Sequence, residues 1–452
     1  MNMRRRAFWL GSLILFVSVP SLAFDKPGFP RLAGTLIGSP AIYADANYQA
    51  QMAKLNVITI NAWPGWSADM GNGTTLEQAV SAIKKINPNE LVFEYVILEQ
   101  LGAQQGLTAP YLEQYNKVVA ANWWVYTQGS SGTRVLSSWQ GGGGPFYEIN
   151  LTSYAPPDSN GDRWTDWFAK YDVRTFLTPA PSLDGIYTDS VSWKPEQASD
   201  GDWNRDGTAD SSSNPTVQQW YRLGYQHYFQ TLRSLAPSKF LIANIADWGD
   251  YSSTLTEYQG LLNGGIIEAI VGMPYSPETF GGFSGALSWY RKTMAALADP
   301  KLAFFMQVGS ATDYQAMRYG LTLCMMDDGY YNFAAVAPGQ TNPDYHTIAW
   351  FDEFSVALGQ ATTSPPTSAW QQGVYRRDFQ NGIALVNPKG NGPKTVTLEA
   401  DFRKISGTQA SNINNGQTVR TVSLADRDGI ILLRTQAQSV TPPASPTNVI
   451  VK

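Results

Sequence analysis

Cysteine and histidine are almost missing from this chain: Cys324, His227 and His346 are the whole supply in 452 residues. One cysteine excludes an internal disulfide, so stability has to come from the core. Two histidines and one thiol also suit a transition-metal centre poorly, because such ions select imidazole and thiolate ligands. Cys324 lies in the apolar run GLTLCMM and reads as a buried small hydrophobe. Charge is sparse too, at 15% of residues, with a formal net charge of −5 and no basic stripe. Nucleic acid is therefore not an expected partner. Past the N-terminus no apolar run reaches about 18 residues, so no membrane span is expected once that segment is removed.

Residues 1–23 carry Arg4, Arg5 and Arg6, then an apolar run from Ala7 to Val19, then the small-residue step Ser21-Leu22-Ala23. This is the layout of a secretory signal peptide, and it predicts a secreted or periplasmic protein. Hydrophobic residues make up 43% of the chain, with 15 Trp and 23 Tyr. Such aromatics fill a large core and also offer flat faces on which sugar C–H bonds pack.

From 24 to 362, short apolar segments alternate with amphipathic helical stretches, the pattern of parallel β/α architecture. Nine segments read as strands: RLAGTLIG, NVITINAW, ELVFEYVI, NWWVYT, DGIYTD, FLIANIA, GIIEAIVG, LAFFMQV and GYYNFAA. A (β/α)8 TIM barrel has eight places, so NWWVYT is an extra or lies beside the barrel. Helices are expected over Leu76 to Ile86, Gln218 to Leu235, Phe283 to Leu297 and Tyr314 to Met326, the last with Asp313 as N-cap. After the linker ATTSPPT the pattern turns all-β, with Asn381-Gly382, Asn415-Gly416 and Asp428-Gly429 as turn signals. This predicts a small C-terminal β-sandwich over 368–436, followed by a disordered Pro-rich tail over 437–452.

The chemistry concentrates at strand ends. LDGIYTDS places Asp189 at the C-terminal end of an apolar strand, and GGIIEAIVG places Glu268 on another. Barrel enzymes put their chemistry at those ends, and two carboxylates are the minimum equipment for cleaving a glycosidic bond. Glu268 sits between Ile267 and Ala269, where desolvation favours the protonated acid, whereas Asp189 has the hydroxyls of Ser190 and Ser192 nearby. Asp184, at the other end of its strand, reads as structural. Asn61, Trp63, Tyr95, Asn244 and Tyr330 are the candidate substrate-binding residues, with Trp63 as a sugar platform. The DG-x-x-x-D strand, the Asn closing FLIANIA and the Gly-Gly-x-x-Glu strand resemble a group of barrel glycosidases that includes the endo-α-1,4-polygalactosaminidase family. That resemblance implies Asp189 as nucleophile or principal catalytic carboxylate and Glu268 as acid/base.

A separate signal is DGDWNRDGTAD, where Asp202, Asn204, Asp206, Thr208 and Asp210 follow the start of a calcium loop. Ser213 stands where such a loop has its last acid. A structural calcium ion beside the cleft is the expectation. Taken together, the sequence predicts a secreted glycoside hydrolase acting on a polysaccharide or oligosaccharide. The alternative is a carbohydrate-binding or exopolysaccharide-export protein on a degenerate barrel.

Overall fold

The computed structural model describes residues 24–37, 42–61, 73–103, 111–130, 132–138, 145–195, 198–245 and 257–435. Trp63, the N-terminal 23 residues and the tail from 436 lie outside them. The first strands are β1 (Leu32–Leu36), β2 (Val57–Ile60) and β3 (Leu91–Ile97), followed by a side hairpin of β4 (Gln100–Gly102) and β5 (Phe146–Glu148). Five more follow: β6 (Gly185–Asp189), β7 (Phe240–Asn244), β8 (Gly264–Val271), β9 (Leu302–Gly309) and β10 (Tyr330–Ala335). Between them run α1 (Ala46–Met52), α2 (Leu76–Ile86), α3 (Tyr111–Ala120), α4 (Trp164–Asp172), α5 (Pro215–Leu235), α6 (Pro277–Ala296) and α7 (Tyr314–Cys324).

Eight strands close in the order β1-β10-β9-β8-β7-β6-β3-β2, and every neighbouring pair is parallel. This is a (β/α)8 barrel. NWWVYT is the ninth segment and lies outside it, bridged through Trp124 to Ile149 and through Tyr126 to Arg134. Inside the barrel, alternate residues form one core: Leu91, Phe93, Tyr95 and Ile97 of β3 meet Phe304, Met306 and Val308 of β9. Gly185 is required here, because a Cβ would lie 1.8 Å from the Phe240 carbonyl oxygen of the adjacent strand. Local signals agree with the helices: Thr75 and Gln78 form a capping box on α2, and Asp313 accepts the Ala316 amide at the start of α7.

The C-terminal unit consists of β11 (Tyr375–Phe379), β12 (Gly382–Asn387), β13 (Lys394–Lys404), β14 (Thr418–Leu424) and β15 (Asp428–Arg434). They form one antiparallel sheet in the order β11-β12-β15-β13-β14. One face of its central strands, with Ile383, Leu385, Ile430 and Leu432, packs with Val396, Leu398, Val422 and Leu424 of β13 and β14. The other face, with Ala384, Val386 and Ile431, joins the main core outside the barrel. A register shift in β13 between Thr397 and Phe402 lets the sheet bend over itself in this way. Helix α7 is sandwiched between barrel and sheet, and its buried Arg318 pairs with Asp428 at 2.9 Å.

Candidate active site

The C-terminal ends of β6, β7 and β8 lie side by side, and each presents one polar side chain. Asp189 ends β6 and Asn244 ends β7, while Glu268 sits within β8. The Asn244 amide nitrogen donates to Asp189 Oδ1 at 3.0 Å and to Glu268 Oε2 at 2.9 Å. One NH2 group, with its two hydrogens, therefore spans the two carboxyl groups. Tyr95 on β3 donates to Asp189 Oδ2 at 2.5 Å, the Ser190 amide to Oδ1 at 2.8 Å, and the Tyr187 hydroxyl to Oδ1 at 3.3 Å.

Burial raises the Glu268 pKa, and the neighbouring Asp189 charge raises it further against hydrogen bonds from Asn244 and Tyr345. The Tyr345 hydroxyl lies 3.5 Å from Glu268 Oε1. The backbone around the acid is irregular: the β8–β9 register shifts between Ile267 and Val271, and Ala269 has φ of 48°. Ile266 and Ala269 both face the barrel interior, while Ile267 and Ile270 face outward. A bulge beside an active site re-aims a side chain in this manner.

Behind Asp189 the backbone is strained and tightly held. Ser190 has φ of 57°, and its carbonyl accepts from the Tyr225 hydroxyl at 3.1 Å and the Tyr221 hydroxyl at 3.3 Å. Tyr221 also donates to Glu99, which lies buried against Glu148. Burial, followed by the Glu148 charge, pushes Glu99 well above the ordinary carboxyl range, and burial does the same to Glu148.

The remaining candidates separate from this cluster. Asn61 closes β2, but φ of 74° breaks the strand alternation and turns its amide to Glu94, on the outward row of β3. Tyr330 is the first residue of β10, so it lies at the opposite end of the barrel, with Arg31 and Asp328 as charged neighbours. Asp184 is at that same end, bound to the Val92 amide and to Lys84 at 2.7 Å.

The acidic loop closes on its own backbone. Asp202 Oδ2 accepts from the amides of Gly129 and Gly207 at 2.8 and 2.9 Å, and Asp206 Oδ1 accepts from Thr208 at 2.9 Å. Asn204 accepts from the Asp206 amide, and Asp210 from that of Trp203. Among the described residues no three acidic, histidine or cysteine side chains gather as metal ligands. Asp202 keeps its second oxygen, Oδ1, buried without a hydrogen-bond partner.

Tyr345, Tyr187 and Glu99 were not singled out by the sequence pattern. Tyr345 lies in an irregular segment after β10, where no periodicity marks a residue as inward-facing.

No family model matches the chain, and no curated protein matches it. Among solved structures it is similar to an Anoxybacillus α-amylase, at 11% identity over 90% of this chain and 98% of that one, with a TM-score of 0.48. It is also similar to the glycoside hydrolase domain of PelA from Pseudomonas aeruginosa, at 10% identity over 67% and 94%, with a TM-score of 0.39. A third is the cycloalternan-degrading enzyme from Trueperella pyogenes, at 12% identity over 91% and 63%, with a TM-score of 0.48. The barrel assignment rests on the chain's own strand order rather than on these likenesses.

Proposed function

We propose that this chain is a glycoside hydrolase that cleaves a polysaccharide by double displacement, with Asp189 as nucleophile and Glu268 as acid/base. The observation that carries the reading is the Asn244 amide held between the two carboxyls, at 3.0 and 2.9 Å. Even laid end to end, those contacts keep the nearest oxygens closer than the roughly 6.5–9.5 Å typical of an inverting pair. They are near the roughly 5–5.5 Å of a retaining one.

The chemistry follows from the surroundings. Glu268, kept protonated by burial, gives its proton to the glycosidic oxygen as the bond to the anomeric carbon breaks. An oxygen of Asp189 forms a bond to that carbon, giving a glycosyl ester and releasing the leaving sugar as an alcohol. Glu268, now ionised, takes a proton from water, whose oxygen displaces Asp189 and regenerates both groups. Tyr95, Tyr187 and the Ser190 amide orient the Asp189 carboxylate throughout. On the same reading residues 1–23 direct export, and the enzyme works in the periplasm or outside the cell.

The test is a reducing-sugar assay on starch, pullulan, dextran, galactan and deacetylated chitin, with Glu268→Gln and Asp189→Asn beside wild type. Turnover that falls at least a thousandfold in both variants, with NMR showing retained anomeric configuration, supports the reading. Glycan binding without turnover by wild type would instead point to a carbohydrate-binding protein on a degenerate barrel.

A further inference from the structure

The loop from β8 to α6 carries an exposed aromatic whose position beside Glu268 has a chemical meaning. Tyr275 is 57% exposed, seven residues past Glu268 at the barrel mouth. Burial raises the Tyr275 hydroxyl pKa and the Glu268 charge adds to it, as both do for Tyr345. The Tyr345 hydroxyl lies 3.5 Å from Glu268 Oε1 with its ring packed onto the barrel interior, while Tyr275 stands in solvent on the loop leaving the same strand.

The loop is not a loose surface turn. The buried Ser276 hydroxyl accepts the Met273 amide at 2.9 Å and donates to the Ala269 carbonyl, tying the loop to the residue beside Glu268. Thr279 donates to the Met273 carbonyl at 2.8 Å. Glu278, 2% exposed, is gripped by Arg427 at 3.1 Å and Lys389 at 3.7 Å, both from the C-terminal sheet. An exposed ring on so firmly anchored a segment is pre-organised to receive a flat partner at little entropic cost.

We infer that Tyr275 is the platform of the leaving-group subsite, stacking the pyranose ring that departs with the oxygen protonated by Glu268. This inference rests on the proposed hydrolase reading, since it is the acid that marks which side of the bond the ring lies on. The occupant is a hexopyranose residue presenting a C–H face, and the C-terminal sheet holds its platform in place through Glu278.

The experiment compares Tyr275→Leu and Tyr275→Phe on the best polymer of the panel and on the glycosyl fluoride of the sugar it releases. The fluoride departs without a sugar ring. Tyr275→Leu is expected to lower kcat/KM on the polymer roughly tenfold, with a distinctly smaller loss on the fluoride. Tyr275→Phe keeps the ring and is expected to stay within about twofold of wild type on the polymer. Equal losses on both substrates, a Phe variant as impaired as Leu, or no loss in Leu would each overturn the subsite. Wild-type turnover with one of those results overturns the subsite alone. Silence of the wild type on every polymer overturns the hydrolase reading and the subsite with it.

Discussion

Replacing Asn244 by alanine tests the geometry at its centre. The substitution removes the one nitrogen that touches both carboxyls, at 3.0 Å from Asp189 and 2.9 Å from Glu268. The backbone contact from the Val191 amide to the Asn244 carbonyl, at 3.1 Å, is independent of the side chain and should persist. A hydrogen bond to a charged group contributes about 1.5–3 kcal/mol, so loss of the bond to the nucleophile predicts a fall in kcat/KM of roughly 10- to 150-fold. The pH profile carries a second signature. Burial is the main reason the Glu268 pKa is raised, and the Asn244 bond is what holds it down most. Without that bond the pKa climbs further. Because the acid is needed protonated, activity falls as pH rises through that pKa, and the variant's alkaline limb should shift to higher pH. The measurement is kcat/KM against pH for wild type and variant, with melting temperatures compared to exclude misfolding. A loss below threefold with an unmoved alkaline limb would refute the bridging role.

Two further outcomes concern stability. Arg377, 2% exposed, reaches from β11 to the carbonyls of Met325 and Asp327 at 3.0 and 2.6 Å and to Asp328 at 2.6 Å. Arg377→Met leaves these groups without their partner and should cost about 3 kcal/mol, seen as a lower urea midpoint; an unchanged midpoint would show that the contact does not clamp the two units. Burial pushes the Asp328 carboxyl up, yet Arg377 and then Arg31 outweigh it and hold it below the ordinary value. That stabilisation is present above the unfolded-state pKa and lost as pH falls through the folded one, so the gap between wild type and variant should narrow in acid, below about pH 4. The acidic loop leaves Asp202 Oδ1 buried without a partner, an oxygen that a bound calcium ion would satisfy. The melting temperature should rise by a few degrees in calcium relative to chelator, and agreement within about 1 °C would refute occupancy of the loop.

The barrel was legible because parallel strands buried on both faces read as near-continuous apolar runs. The same property made NWWVYT look like a strand: Trp123 and Trp124 are buried, but beneath α4 and the side hairpin rather than in the barrel. Tyr95, Asp189, Asn244 and Glu268 fall on the inward side of their strands, so placement on or at the end of an apolar strand was enough to bring them together. Tyr330 was misplaced for a reason visible in the sequence. It begins its strand, and in a parallel barrel the first residue lies at the end opposite the mouth. Asn61 was not recoverable by alternation, because a left-handed residue at the end of β2 redirects its side chain. Tyr345 reaches Glu268 from an irregular segment, and no spacing rule ties such a residue to the acid.

Part of the backbone strain lies at the site. Among the non-glycine residues with positive φ, Asn61, Ser190 and Ala269 stand at or beside the C-terminal ends of barrel strands. Ser190 directly follows Asp189, and Ala269 directly follows Glu268. Each such residue costs about 1–3 kcal/mol and persists only where its surroundings over-determine it. Those surroundings are present: two α5 tyrosines hold the Ser190 carbonyl, and Ser276 binds that of Ala269. Regular strands would continue the two-residue alternation past each carboxylate. The strained residues instead break that alternation directly after Asp189 and within β8 directly after Glu268, where the β8–β9 register shifts, with Asn244 between the two acids. The rigid parts of the fold therefore fix the angle between the two acids, and the loops beyond are left to read the substrate.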